Sequence, residues 1–204
     1  MEIGCGGGGP ALALTDYLNG DGRYEGLDIM TEPIQRAQAI ISKDHPNFRF
    51  QVADVYNENY NRHGKFQASE YRFPFPDDTF DVVLLGSVFT HMRPADVDRY
   101  LAEIGRVSKP GGRSLVTYFV LNSEALGLIE SGASAKKFTH RFDGFRAEDK
   151  DIPECAIAYD EEWVRARYAE HRLEIQEPVR YGRWCGRSRA IYPNRQDIVV
   201  AVKR

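Results

Sequence analysis

Cysteine is scarce in this 204-residue chain: Cys5, Cys155 and Cys185 are its only three, odd in number and far apart. That spacing supplies neither a disulfide framework nor the paired ligands of a zinc site, so no metal is expected and the thiols read as reduced and cytoplasmic. No apolar run approaches the roughly 20 residues that a bilayer-crossing helix needs. The first residues lack the basic segment and apolar core of a secretory leader. An excess of one charge is missing too. Lysine and arginine total 27 against 30 acids, a net charge of −3, which gives no bulk attraction to nucleic acid or to an anionic membrane. Neither partner is expected, and oligomeric state is not encoded legibly. The rest is ordinary globular composition, 42% hydrophobic and 12% aromatic, at a length suited to one domain spanning 1–204.

Glycine, by contrast, is concentrated at the start, in Glu2-Ile3-Gly4-Cys5-Gly6-Gly7-Gly8-Gly9-Pro10. Four successive glycines remove every Cβ from a turn, so a ligand can approach the backbone closely. Pro10 suits the first turn of a helix, predicted over Pro10–Leu18 with a stop at Asn19-Gly20. Strand, glycine turn and helix together form a seat for a nucleotide-like ligand at the end of a parallel sheet. Tyr24 to Asp28 reads as a second strand. Thr31 is the expected cap of a helix that carries Ile34, Ala37 and Ile41 on one face. Phe48, Phe50 and Val52 alternate in a third strand ending at Asp54.

Residues 55–73 are polar and tyrosine-rich, a long surface loop of the kind that forms binding lids, or else a tolerated insertion. Phe80 to Leu85 has the composition of a central strand buried on both faces. Pro94 opens a helix with Val97, Leu101 and Ile104 inward, closed by Lys109-Pro110-Gly111-Gly112. A strand follows over Ser114–Val120, then an irregular excursion over 132–155. Asp160 is the expected cap of a helix with Glu161 and Glu162 in its first turn. Leu173–Val179 and Asp197–Val202 complete an α/β pattern.

The glycines alone do not choose the ligand. Gly4, Gly6 and Gly9 satisfy the dinucleotide spacing G-x-G-x-x-G, while Gly4, Gly6 and Gly8 satisfy G-x-G-x-G. A dinucleotide site aims helix N–H groups at a pyrophosphate. S-adenosylmethionine has no phosphate and asks instead for acceptors around its ribose, adenine and ammonium. Glu2, Asp28 and Asp54 stand at or beside three successive strand ends, on the rim where ligands of parallel sheets sit. Each alone reads equally as a cap or a solvated turn; the ordered set favours the sulfonium nucleoside.

At this point the chain resembles the class I S-adenosylmethionine-dependent methyltransferases over most of its length. EIGCGGG is similar to the family's first motif, YEGLDIM (24–30) to its second and FRFQVAD (48–54) to its adenine-binding strand. FPFPDDTFDVVLLGSVFTHM (73–92) resembles the fourth-strand motif, and EIGRVSKPGGRSLVTYF (103–119) the helix, turn and strand after it. The resemblance implies a doubly wound, mostly parallel seven-stranded sheet with an antiparallel last strand and helices on both faces. It places Glu2, Gly4, Gly6 and Gly8 at the first cofactor turn. Asp28 with Ile29, and Asp54 with Val55, would meet the nucleoside, and Gly86 with Ser87 the amino-acid tail. The family's first strand begins several residues earlier, so here it is expected to be truncated, through either an upstream start or a shortened chain.

Methyl transfer from a sulfonium is an in-line displacement, in which alignment alone supplies roughly 7–11 kcal/mol. A dry site favours it, and Phe89 and Tyr118 are candidates to line one, or else core residues. A hydroxyl nucleophile must also lose a proton. His91, beside Thr90 and Met92 past the fourth strand, is the candidate base, against a structural reading as a cap. His140, Tyr159, Tyr181 and Trp184 read as packing. The expected acceptor is a small molecule bearing a hydroxyl. The rival readings are an NAD(P)-dependent oxidoreductase and a non-catalytic module that keeps the fold.

Overall fold

A computed structural model describes residues 1–18 and 21–204, so the predicted helix stop at Asn19-Gly20 lies outside the described residues. Strand β1 (Glu2–Ile3) leads through the glycine turn into helix α1 (Gly9–Leu14), which is shorter than the predicted span. There follow β2 (Tyr24–Asp28), α2 (Thr31–Ala37, prolonged by a wider π turn over Gln38–Ser42) and β3 (Phe48–Val52). Next come β4 (Phe80–Leu85), α3 (Pro94–Val107) and β5 (Ser108–Tyr118). The remaining elements are β6 (Val120–Leu121), α4 (Ser123–Glu130), β7 (His140–Phe142), β8 (Phe145–Ala147) and β9 (Ile157–Asp160). The chain ends in α5 (Glu161–Glu170), β10 (Leu173–Ile175) and β11 (Asp197–Lys203).

Seven strands form one sheet in the order β10-β11-β5-β4-β1-β2-β3, with β11 antiparallel to both its neighbours. The doubly wound, mostly parallel architecture with a reversed last strand is therefore present. β1 is short but central: Glu2 and Ile3 pair with Gly26 and Leu27 on one side and with Leu84 and Leu85 on the other. The N–H groups of Gly4 and Cys5 both donate to the Leu27 carbonyl, at 2.7 and 3.1 Å, carrying the pairing into the glycine turn.

Strand alternation sorts side chains onto two faces. Ile3, Leu27, Leu85 and Val116 pack with Val97, Leu101 and Ile104 of α3 in the larger core. Tyr24, Phe48 and Phe50 pack on the other face with Ile34, Ala37 and Ile41 of α2. That face is not closed everywhere. α2 lies over β2 and β3, and Val82 of β4 is 46% exposed, so β4 is not buried on both faces as expected.

Several boundaries move for identifiable reasons. Thr31 is the first residue of α2 rather than its cap, because Asp28 reaches forward to accept the Met30 N–H at 2.9 Å and shapes the entry. Asp160 precedes α5, but its side chain makes no capping bond. Lys109 to Gly112 belong to β5, whose pairing with β4 shifts register between Phe80 and Val82. β10 stops at Ile175, four residues before the predicted end. The excursion at 132–155 is partly ordered: β7 and β8 form a hairpin within a second sheet of order β6-β9-β8-β7. α4 was not anticipated either, although Asn122 caps it by accepting the Ala125 N–H at 2.9 Å. Among the described residues no helix is long and apolar enough to cross a membrane.

Candidate active site

The chain winds from β1 outward through β2 to β3, then returns to place β4 on the other side of β1. Such a reversal leaves a crevice at the carboxyl ends of the strands. Here it is a cavity of about 280 Å³, entered by Gly4 and Gly6 after β1, Asp28 and Ile29 after β2, Val55 after β3, and Gly86 and Ser87 after β4. Gly4 and Gly6 have φ of 72° and 52°, which L side chains rarely adopt. A Cβ on Gly4 would stand 2.4 Å from Val88 Cγ2, whereas one on Gly6 or Gly86 would meet nothing within 4 Å. The backbone at Gly6 and Gly86 therefore faces open space.

Asp28 is 7% exposed and lines this crevice. Its Oδ2 accepts the Gly6 N–H at 2.8 Å and its Oδ1 the Met30 N–H at 2.9 Å. No Lys or Arg pairs with it among the described residues. A carboxylate offers about four acceptor positions, so each oxygen keeps one to spend.

The three expected carboxylates do not converge. Glu2 follows the strand alternation to the opposite face from Ile3, is 5% exposed, and accepts the Tyr24 hydroxyl. Burial pushes its carboxyl above the usual value, the Tyr24 bond opposing. Asp54 turns outward to Lys65, whose Nζ lies 3.2 Å away and whose N–H it also accepts. Gly8 packs towards α2, where a Cβ would stand 2.7 Å from Ile41 Cδ1. Of these four, Asp28 alone reaches the crevice. The first turn of α1 is not among its lining residues either, and Pro10 there has no N–H, so no helix N-terminus is aimed at a pyrophosphate.

The loop at 55–73 supplies lining that residue-by-residue reading missed: Tyr56, Asn57, Tyr60, Tyr71 and Phe73. Its tyrosine content was the available signal. Asn57 Nδ2 donates to the His91 carbonyl at 3.1 Å, and the Phe73 N–H to buried Glu103 at 2.8 Å, tying the loop down at both ends. Phe89 and Tyr118 are fully buried with ring centroids 5.4 Å apart; they are core residues and do not line the crevice. Tyr159, Trp184 and Tyr181 are likewise engaged within the protein, with the Met92 carbonyl, Asp197 and Glu161. His140 opens β7.

His91 sits on a short 3₁₀ turn, Phe89–His91, after β4. Its Nδ1 lies 2.9 Å from the Glu154 carbonyl, an acceptor only, which assigns the ring proton to Nδ1 and the lone pair to Nε2. Nε2 is 3.5 Å from the Tyr60 hydroxyl, with the rings edge-on at 5.2 Å. Burial holds its pKa below the usual 6.5, the Lys136 charge adding to the effect and the Glu154 carbonyl opposing it. The ring is therefore neutral at neutral pH.

Beside it, Ser87 has φ of 59°, a left-handed conformation that non-glycine residues hold at a cost and that clusters at functional sites. The conformation is fixed by the Ser87 N–H donating to Thr117 Oγ1 at 2.7 Å and by Ser87 Oγ donating to Gln196 Oε1 at 2.9 Å. Ser87 and His91 also line a second cavity of about 460 Å³. The arrangement is an apolar crevice with one uncompensated carboxylate, joined through a neutral imidazole to a second chamber.

Comparison with known proteins matches this geometry to a family. The family model described as "Methyltransferase domain" matches residues 1–116, more than half of the chain. An uncharacterised methyltransferase of Schizosaccharomyces pombe is 30% identical over 112 residues, covering 55% of this chain and 36% of that protein. An uncharacterised methyltransferase of Bacillus subtilis is 25% identical over 195 residues, 92% of this chain and 64% of its own length. The chain thus spans less than two thirds of either relative. The crystal structure of an S-adenosylmethionine-dependent methyltransferase from Methanosarcina mazei has the same fold, with a TM-score of 0.64 at 22% identity over 99% of this chain and 90% of that one. On the family match, the fold and the crevice, this chain belongs to the class I S-adenosylmethionine-dependent methyltransferases.

Proposed function

We propose that this protein transfers a methyl group from S-adenosylmethionine to a hydroxyl oxygen of a small molecule. The observation that carries the reading is Asp28: a buried side-chain carboxyl at the crevice that accepts two backbone N–H groups and is paired with no cation among the described residues. A buried carboxylate in that state is stabilised by further donors. The two hydroxyls of a ribose supply them, while a phosphate would bring like charge.

The residues present fit the cofactor. Asp28 would hold the ribose, Ile29 and Val55 would flank the adenine, and the open backbone at Gly6 and Gly86 would receive the amino-acid tail. When bound, S-adenosylmethionine supplies an electrophilic methyl group on a sulfonium. Val88, Tyr71 and Phe73 keep water from that end of the crevice. His91 Nε2, held unprotonated, takes the proton that the acceptor hydroxyl gives up. The second cavity falls within the range of small-molecule sites, about 300–1,000 Å³, which supports a small acceptor.

Calorimetry of the full chain with S-adenosylmethionine, S-adenosylhomocysteine and NADH tests the reading. Both sulfur nucleosides bind saturably; Asp28→Ala weakens them at least about tenfold, since hydrogen bonds to a charged group are worth roughly 1.5–3 kcal/mol each. Asp28→Asn keeps the shape and shows the same direction of change. Tighter binding of NADH would overturn the reading in favour of an oxidoreductase. Binding of the nucleosides without turnover across a panel of alcohols and phenols would leave a non-catalytic module.

A further inference from the structure

The second cavity shares only Ser87 and His91 with the crevice, among the described residues. Phe119, Ala156 and Ile198 give it apolar surface. Its charged lining is one-sided: Lys136 and Arg195 are present and no Asp or Glu is, in a chain whose acids outnumber its bases 30 to 27.

The fold places the Lys136 ammonium and the Arg195 backbone. Lys136 Nζ lies 5.3 and 5.7 Å from the centroids of Phe119 and Phe138 and donates at 2.6 Å to Glu148 Oε2, a carboxylate outside the lining. Arg195 is exposed, and its guanidinium has no acceptor among the described residues. Its backbone is not loose, however. The Arg195 carbonyl accepts the Trp184 N–H at 3.0 Å, and Asp197, two residues on, is fully buried. Asp197 accepts from Gly182 N–H, Trp184 Nε1 and Val120 N–H at 2.7, 2.6 and 2.6 Å, and pairs with Arg187. Arg195, a lining residue whose guanidinium has no acceptor among the described residues, beside Lys136, whose only paired carboxylate among them lies outside the lining, suits the cavity to an anionic oxygen group.

We propose that this cavity is the acceptor site and that it selects a hydroxylated compound carrying an anionic group, a carboxylate or a phosphate, on an apolar body of about ring size. The anion meets Arg195 and Lys136, the body lies on Phe119 and Ile198, and the hydroxyl is directed to His91. The proposal rests on the methyl-transfer reading for its chemistry, but its charge preference can be measured without any substrate.

Cys155 lines the cavity, whereas Cys5 and Cys185 are buried, so Cys155 is a built-in reporter. Alkylation rates with iodoacetate and iodoacetamide are compared at Cys155; their ratio cancels the reactivity of the thiol itself. The ratio in the folded protein exceeds that in the urea-unfolded chain. It falls about fivefold in Arg195→Gln, the effect of one unit charge a few ångströms away in water, and falls again when Lys136→Gln is added. In protein saturated with S-adenosylhomocysteine, 4-hydroxybenzoate or 4-hydroxyphenyl phosphate protects Cys155 at lower concentration than methyl 4-hydroxybenzoate, and the better anion identifies the group. A ratio no higher than in the unfolded chain, or anions that protect no better than the ester, would overturn the proposal. Arg195 is exposed, so its variant folds, and unchanged S-adenosylhomocysteine affinity verifies that. Failure of nucleoside binding removes the methyl-transfer reading and leaves the ratio standing; failure of the ratio does the reverse.

Discussion

Replacing His91 by Gln separates a base from a packing residue. The Glu154 carbonyl fixes the proton on Nδ1, and Nε2 is left as the acceptor. A positioned base of this kind contributes about 10²–10⁴-fold, so kcat falls by that factor in initial-rate assays with a hydroxylated acceptor. The affinity for S-adenosylhomocysteine stays within a few fold, because the groups proposed to hold the nucleoside lie at the ends of β1, β2, β3 and β4 and do not include His91. The pH profile carries the stronger signature. Burial and the Lys136 charge both lower the imidazole pKa, so kcat/KM in the native enzyme rises with pH through an inflection below the usual 6.5 and then levels off. His91→Gln removes that inflection. Lys136→Gln moves it upward, since one of the two depressing influences is gone. A structural role would predict the opposite pattern: lost stability and weakened cofactor binding with an unmoved profile. A kcat within threefold of the native value, or an inflection that stays in place in both variants, refutes the assignment.

Four further outcomes rest on the packing. Burial keeps the Glu2 carboxyl pKa above its unfolded value, so its contribution to stability is full below about pH 4.5 and is lost as pH rises through the folded value. Glu2→Gln therefore raises the urea midpoint at pH 8 more than at pH 4, and leaves cofactor affinity unchanged; a tenfold affinity loss would return Glu2 to the site. Arg187→Met strands the buried Asp197 carboxylate, and urea unfolding shows a loss of about 3–5 kcal/mol. Gly4→Ala, with its Cβ driven into Val88, loses stability and nucleoside binding together. Gly6→Ala has room within the protein and costs about 1–2 kcal/mol for its positive φ, but it fills space the ligand needs, so calorimetry shows affinity falling further than stability.

The main sheet was legible because local and tertiary requirements agree there. β3 carries Phe48, Phe50 and Val52 at strand period, and α3 repeats Val97, Leu101 and Ile104 down one face, all three of them buried. The second sheet was not legible. β6 has two residues, β7 and β8 three each, and β7 is partly exposed along its length, so no periodicity can accumulate. The sheet is assembled by pairing Val120 with Tyr159, a contact that no short window of sequence contains, onto which the short β7–β8 hairpin is added. The start of β5, expected at Ser114, moved to Ser108 for a related reason. Lys109-Pro110-Gly111-Gly112 is a breaker by composition, and it does end the helix, but pairing with β4 draws the same residues into β5.

The crevice divides along the same line. Gly4, Gly6 and Asp28 were readable because their placement follows from backbone chemistry within a few residues of a strand end. Glu2 and Asp54 also stand at or beside strand ends, yet which way a side chain turns there depends on what waits on each side: the Tyr24 hydroxyl for one, the Lys65 ammonium for the other. The second cavity has no local sequence signature. Lys136, Cys155 and Arg195 come from three separate segments, and the tautomer of His91 is set by a carbonyl 63 residues away. Sequence spacing can find the seat of a cofactor shared by a whole family, because every member needs the same turn. It finds a cavity such as the second one poorly, because that cavity is assembled from loop residues whose meeting is decided by clasps such as Asp197 with Arg187, and a clasp constrains where a loop lies without fixing what the loop carries.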